Sequence, residues 1–150
     1  MWSHYADKHH GVCLIFDTKI LRMNFHDIEY RFNQYDKDEL YGRTIVNYTE
    51  MVILRKSVDW LYEGEWRAFG NIPLDPQNDE ERKRKFDEKA LTGIIFGCMI
   101  SNDDKLLVLS WLKDWEKKPK LIQMKKDQYN YKLNFIEVSY EKLKAELCPR

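Results

Sequence analysis

The segment SNDDKLLVLSWLKDWEKKP, residues 101–119, constrains the fold more than any other part of the chain. Ser101 or Asn102 can cap a helix, and the two aspartates that follow suit its positive N-terminal end. Lysines suit the negative C-terminal end, and Pro119 cannot continue the helix. We therefore predict a helix up to that proline with one buried apolar face. The residues predicted on that face are Leu107, Val108, Trp111, Leu112 and Trp115.

Short apolar or alternating segments on both sides of this helix predict a sheet. The two segments on either side of the turn KKDQYN form a strand pair. Residues 50–59 fit either a helix or a loop. The predicted strands are 12–16, 44–48, 61–69, 94–97, 121–125 and 131–138. The order of elements indicates an α+β fold, a mixed, largely antiparallel sheet with flanking helices.

Three further helices are predicted. One begins at Asp17 or Thr18 and places Phe25 and Ile28 inward together with Ile20 and Leu21. A charged helix follows the proline-marked loop that begins NIPLDP, has only Phe86, Ala90 and Leu91 to bury, and ends at Gly93. A short helix over 140–147 closes the chain.

Length and charge bound the class of protein. A chain of 150 residues is expected to form a single domain, and its 25 basic and 25 acidic side chains give no net field to attract nucleic acid or membrane. Three widely spaced cysteines indicate free thiols in a reducing compartment, so we expect a cytoplasmic protein. Because dense polar and aromatic content starts at residue 2, we also expect that an upstream segment of the parent domain is missing.

The stretch WLYEGEWR, residues 60–67, carries the strongest candidate site. In a strand, Glu63, Glu65 and Arg67 share one face, and Arg67 reaches Glu65 directly but Glu63 only through a further partner. Two close carboxylates can raise one pKa into the range of a general acid or base. The alternative is structural, with the guanidinium held between two acids and no chemistry performed.

Nearby side chains add candidate ligand contacts. Lys56 can pair with Glu63 or present its ammonium to an anionic ligand, although a surface lysine is the ordinary case. Trp60 and Trp66 are candidates for a stacking surface. With Arg67, these residues form the predicted ligand-binding set.

The opening segment WSHYADKHHGVC contains a second polar group. His4 and Tyr5 are candidate catalytic side chains, or polar neighbours of a structural core. Although His9, His10 and Cys13 are nearby, no second ligand pair with fixed spacing follows, so we predict no metal site. The basic stretches 82–85 and 117–126 are expected to be solvated faces, which makes nucleic acid an unexpected partner.

Four blocks of the sequence resemble a known family. The blocks MWSHYADKHHGVCLIFD, IVNY, KSVDWLYEGEWR and LTGIIFG occur in this order, within residues 1–138, in a bacterial family catalogued as a domain of unknown function and numbered twenty-nine seventy-one. Members of that family are usually longer at the N-terminal side. The pattern is also similar to ADP-ribosyltransferase-like domains, in which polar blocks on separate strands converge on a cleft.

The resemblance implies a nucleotide-handling enzyme of stress or phage-defence type, or a truncated remnant of one. On that analogy NAD is the cofactor to test, and His4, Tyr5 and Glu63 or Glu65 hold its nicotinamide nucleotide. His4 is then expected within roughly 10 Å of Glu63 or Glu65 across one pocket. The competing hypothesis is a non-catalytic interaction domain that forms a homo-oligomer through an edge strand.

Overall fold

A computed structural model describes residues 2–33, 51–68, 80, 83 and 85–147, which belong to two compact units. The first unit is Met1–Arg22 with Arg84–Arg150, and the second is Met23–Lys83. The described strands are β1 (Val12–Phe16), β2 (Phe25–Asp27), β3 (Glu29–Arg31), β4 (Arg55–Ser57), β5 (Trp66–Ala68), β6 (Leu91–Phe96), β7 (Lys120–Lys126) and β8 (Leu133–Val138). The described part of the chain contains the α-helices α1 (Trp2–Tyr5), α2 (Thr18–Leu21), α3 (Asn102–Trp111) and α4 (Tyr140–Leu147). It also contains 3₁₀ helices at Val58–Glu63 and Glu88–Ala90.

The first unit is built on a four-stranded sheet in the order β1-β6-β7-β8. The β1–β6 and β7–β8 pairs are antiparallel, whereas β6 and β7 are parallel and are connected through α3. A parallel neighbour needs such a crossover, since a tight turn joins only antiparallel strands. The predicted α+β class with a mixed, largely antiparallel sheet is confirmed, and strands 12–16, 94–97, 121–125 and 131–138 all belong to this sheet.

The core of the first unit lies where α3 and α4 meet the sheet. Phe96 and Met124 are fully buried and Leu121 is 2% exposed. Val108, Leu109 and Leu112 contribute from α3 and its C-terminal end, and Leu143 contributes from α4. The predicted apolar face of α3 is therefore partly wrong, because Leu107 and Trp111 are 49% and 62% exposed while Leu109 is buried.

Helix α3 begins as predicted and ends earlier than predicted. The Ser101 hydroxyl accepts a hydrogen bond from the Asp104 amide at 3.0 Å, which is the expected cap. After Trp111 the backbone tightens, and the amides of Lys113 and Trp115 donate to carbonyls three residues back. This tighter path still packs Trp115, partly buried, against the core.

Helix α2 is also shorter than the predicted helix. Asp17 caps it by accepting a hydrogen bond from the Lys19 amide at 2.9 Å, and Arg22 ends it in the left-handed conformation with φ of +50°. Phe25 therefore lies in β2 and the buried Ile28 follows that strand. The prediction that Phe25 and Ile28 belong to the helix is wrong.

The segment before β6 differs from its prediction in two respects. Gly93 lies inside β6, opposite Ile15 of β1, and does not end a helix. Ala90 and Leu91 are buried as expected, whereas Phe86 is 44% exposed and meets the ring of Phe16 edge-on with centroids 5.0 Å apart. Most of the predicted charged helix, and the predicted strand 44–48, lie outside the described residues.

The second unit contains two small strand pairs. β2 pairs with β5 in the antiparallel sense, and β3 pairs with β4 in the parallel sense. The predicted strand 61–69 is wrong over most of its length, because residues 58–63 form a 3₁₀ helix and only Trp66–Ala68 is a strand. Ser57 caps that helix and Gly64 ends it with φ of +53°, a conformation that glycine adopts without strain.

Candidate ligand-binding site

Glu65 and Arg67 form a two-point ion pair at the start of β5. The Arg67 guanidinium donates from Nε to Oε1 of Glu65 at 2.6 Å and from Nη2 to Oε2 at 3.2 Å. It also donates through Nη1 to the carbonyl of Ile53. The Glu65 amide donates to the Tyr30 hydroxyl at 2.8 Å, which ties this turn to β3. Arg67 is thus held by a backbone carbonyl, and Glu65 is held by a tyrosine side chain.

Lys56 of β4 joins the two acids. Its Nζ lies 2.8 Å from Oε2 of Glu65 and also donates to Oε2 of Glu63. The Lys56 side chain is 14% exposed and that of Glu63 only 4%. Glu63 therefore pairs with Lys56. Lys56 is the further partner through which Arg67 was predicted to reach Glu63. We call Lys56, Glu63, Glu65 and Arg67 the acidic cluster.

The electrostatics of the acidic cluster fix the charge of Glu65. The hydrogen bond from Arg67 is the main cause that lowers the pKa of Glu65 to about 2, with Lys56 adding to it against the opposing effect of burial. Glu65 is therefore an anion at neutral pH. The expectation of a raised pKa is wrong for this carboxylate, because two cations contact it directly.

One oxygen of Glu63 has no hydrogen-bond partner among the described residues. Its Oε1 is buried and receives no hydrogen bond from the part of the chain that the structure describes. Buried polar atoms are nearly always paired in native proteins, so an unpaired one is commonly explained by a water, an ion or a ligand. Oε1 of Glu63 is an available acceptor within the second unit.

A cavity of about 410 Å³ in the same unit is also lined by Lys56. Three cations line it, Arg31, Arg55 and Lys56, and Phe32 beside them is 90% exposed. The remaining lining residues are Asn33, Val52 and Ser57. Lys56 belongs both to this cavity, which we call the cationic cavity, and to the acidic cluster.

The arginines of the cationic cavity are oriented by one carboxylate. Glu29 accepts from Arg31 at 2.5 Å and from Nε of Arg55 at 2.9 Å. The hydrogen bond from Arg31 is the first cause that lowers the pKa of Glu29, so Glu29 stays charged. A carboxylate that fixes two guanidinium groups at the rim of a cavity preorganises them for a second anion.

The sequence-predicted residues divide between the two units. Lys56, Glu63, Glu65 and Arg67 are in direct contact, and Trp60 joins them because Nζ of Lys56 lies 5.2 Å from its ring centroid. Trp66 is 62% exposed on β5 and does not line the cationic cavity. His4 and Tyr5 lie on α1 of the first unit, both exposed. A cleft shared by His4 and the acidic cluster stays a prediction.

Sequence reasoning missed Arg31, Phe32 and Arg55. The only local signals were an arginine next to a phenylalanine and a second cation before Lys56. Neither is informative until the parallel pairing of β3 with β4 places Glu29 opposite Arg55 and Arg31 opposite Ser57. Among the residues in the described ranges, no three His, Cys, Asp or Glu side chains are placed to hold a metal ion.

Comparison with protein-family models gives one match, over residues 1–68, to the family described as Protein of unknown function (DUF2971). The first 68 residues of the chain match this family. The DUF2971 match ends at Ala68, the last residue of β5, so it includes the acidic cluster and the cationic cavity. The resemblance predicted within residues 1–138 is thus found over the first 68.

Neither the curated proteins nor the solved structures contain a match to this chain. In the described ranges, every helix is too short or too polar to cross a bilayer.

Proposed function

We propose that this chain is a bacterial, cytoplasmic, nucleotide-handling protein, and that the cationic cavity of its second unit binds the phosphates of a nucleotide. The observation that carries the proposal is the set of Arg31, Arg55 and Lys56 around one cavity of about 410 Å³. Cavities that bind small ligands typically measure about 300–1,000 Å³. Guanidinium groups match phosphate oxygens in two-point geometry, and the exposed ring of Phe32 offers a surface on which a base can stack.

The acidic cluster suits the ribose end of such a ligand. In an ADP-ribosyltransferase-like reaction, positive charge develops on the ribose as its bond to nicotinamide breaks, and a fixed anion stabilises that charge. Glu65 is ionised, and Oε1 of Glu63 is an acceptor for a ribose hydroxyl. His4 and Tyr5 complete this proposal as contacts to the nicotinamide nucleotide, with NAD as the substrate or cofactor and a role in stress response or phage defence.

The test is thermal unfolding of the chain with NAD, ADP-ribose, ADP and inorganic phosphate. A ligand held only by the folded state stabilises it by about 2.7 kcal/mol at one hundred times its Kd. We expect a higher Tm with the nucleotides and a much smaller shift in Arg31→Gln. Lys19→Gln, which removes a positive charge from the exposed surface of α2, should respond like the wild type. Equal shifts in both variants, or none with any nucleotide, contradict the proposal.

A second candidate function is self-association, as a non-catalytic interaction domain. It is favoured by β1, an edge strand of the four-stranded sheet on which Leu14 and Ile15 are 47% and 37% exposed. Edge strands with exposed apolar residues readily pair with another chain. Light scattering should then report a homodimer that Leu14→Lys converts to monomer, and a monomeric wild type argues against this function.

A further inference from the structure

One cavity of the first unit is lined by four lysines. Its volume is about 580 Å³, and it lies between α3, the β7–β8 hairpin and α4. Lys105 enters from α3, Lys125 and Lys126 from β7, and Lys142 from α4. Four lysines from three separate elements thus line one space. We call it the lysine cavity.

The acidic side chains at the lysine cavity neutralise only part of its positive charge. Glu146 lies 4.0 Å from Lys142, and Glu137 lies 3.5 Å from Lys120, which is not part of the lining. Within the described ranges, the side chains of Lys105, Lys125 and Lys126 form no ion pair and no hydrogen bond. Lys105 and Lys125 can therefore pair with an external anion in this cavity.

Burial and a neighbouring lysine both disfavour the charged form of Lys105. Burial lowers the pKa of Lys105, and the charge of Lys125 lowers it further, while Glu146 acts in the opposite direction. Partly buried like charges repel each other and are disfavoured. An anion bound between Lys105 and Lys125 removes this repulsion.

Gln123 provides an independent sign of a ligand at the same place. Its side-chain nitrogen donates to the carbonyls of Gly97 and Met124, at 3.2 and 2.9 Å, which fixes the orientation of the amide. Its Oε1 is buried and accepts no hydrogen bond from the described residues. Since Gln123 lines the lysine cavity, this oxygen can be satisfied by a donor on a bound molecule.

We propose that the lysine cavity binds a small phosphate-bearing molecule that also carries a hydroxyl group. The phosphate lies between Lys105 and Lys125, and the hydroxyl donates to Oε1 of Gln123. A volume of about 580 Å³ accommodates a ligand of sugar-phosphate size, and the space is bounded by two helices and a sheet. A nucleic-acid strand needs instead an open, extended basic surface, so the small molecule is favoured. This site is independent of the cationic cavity, because all of its lining residues belong to the first unit.

Isothermal titration calorimetry with inorganic phosphate, pyrophosphate and ribose 5-phosphate tests the proposal. We expect all three to bind, ribose 5-phosphate more tightly than inorganic phosphate because of its hydroxyl groups. The double variant Lys105→Gln with Lys125→Gln should weaken binding at least tenfold. The control, Lys113→Gln with Lys144→Gln, removes the same charge from exposed positions outside the cavity and should bind like the wild type.

A stability measurement accompanies the titration. Because the cavity double variant removes like-charge repulsion, its Tm without ligand should equal or exceed that of the wild type, so weaker binding cannot be attributed to unfolding. Gln123→Leu should reduce the affinity for ribose 5-phosphate more than that for inorganic phosphate.

Three results would overturn the proposal. The first is no binding of any phosphate compound, and the second is an equal loss of binding in the control Lys113→Gln with Lys144→Gln. The third is binding of single-stranded oligonucleotides that is tighter than that of ribose 5-phosphate and is weakened by Lys105→Gln with Lys125→Gln. Repeating the titrations in the Arg31→Gln background removes binding at the cationic cavity. The loss caused by Lys105→Gln with Lys125→Gln should persist in that background, so failure here is separable from failure at the cationic cavity.

Discussion

At the scale of single residues, Glu65 links the charge of the acidic cluster to stability. Its pKa in the folded chain is about 2, whereas the ordinary value is 4.5. A lowered carboxyl pKa stabilises the folded state above the ordinary value, and this contribution disappears as the pH falls from about 4.5 through about 2.

Glu65→Gln should therefore lower the free energy of unfolding at pH 7 by about 2 kcal/mol, since hydrogen bonds to charged groups contribute about 1.5–3 kcal/mol. The difference from the wild type should shrink as the pH falls from 5 towards 2. Urea unfolding at pH 7, 4 and 3 measures it. The control Glu141→Gln alters an exposed side chain of α4 and should have little effect. A difference that does not depend on pH contradicts the assigned charge.

Lys56 is the second residue whose replacement is informative. Lys56→Met leaves the carboxylate of Glu63, whose side chain is 4% exposed, without its cation. Breaking a buried ion pair by removing one partner costs about 3–5 kcal/mol. Adding Glu63→Gln should restore part of this loss, and a double-mutant cycle by urea unfolding measures the coupling. Additive effects of the two changes would show that Glu63 and Lys56 do not depend on each other.

At the scale of elements, the turn that precedes β1 depends on a close backbone approach at Gly97. A Cβ placed there would lie 2.0 Å from the carbonyl oxygen of His9, and the Gly97 amide donates to the Gly11 carbonyl at 3.0 Å. A side chain at Gly97 therefore displaces this turn. Gly64 differs, because a Cβ there meets nothing within 4 Å and only the positive φ opposes it.

We predict that Gly97→Ala destabilises the first unit strongly, whereas Gly64→Ala costs only about 1 kcal/mol. Guanidinium unfolding followed by circular dichroism compares the two. Similar losses in both variants would show that the contact between Gly97 and His9 does not constrain the turn.

The elements that sequence predicted correctly carry local signals. Asp17 and Ser101 are caps, and the alternation in β7 and β8 with the turn between them defines a hairpin. The stretch from Val58 to Glu63 has a cap at Ser57, but its aromatic and apolar residues fit a strand or a 3₁₀ helix equally. Gly64 decides between them through its left-handed conformation. The cationic cavity could not be predicted from the sequence for a different reason. Arg31 and Arg55 are 24 residues apart and come together only through the pairing of β3 with β4.

At the scale of the whole molecule, charge is balanced overall and segregated locally. The chain has 25 basic and 25 acidic residues, yet the cationic cavity and the lysine cavity each collect cations. Balanced net charge gives no long-range attraction for polyanions, so recognition at either cavity depends on short-range geometry. This favours compact anions over nucleic acids and is the reason that both proposed ligands are small. The sequence-based expectation of a single domain stays a prediction beside the two compact units.

The central claim is that the second unit binds a nucleotide through the cationic cavity. The most direct test is a ¹H–¹⁵N NMR titration of the ¹⁵N-labelled chain with ADP-ribose. We predict saturable shifts of the backbone amides of Arg31, Phe32, Arg55, Lys56 and Ser57, and their loss in Arg31→Gln. Unchanged amides at these five positions up to millimolar ADP-ribose would contradict the claim.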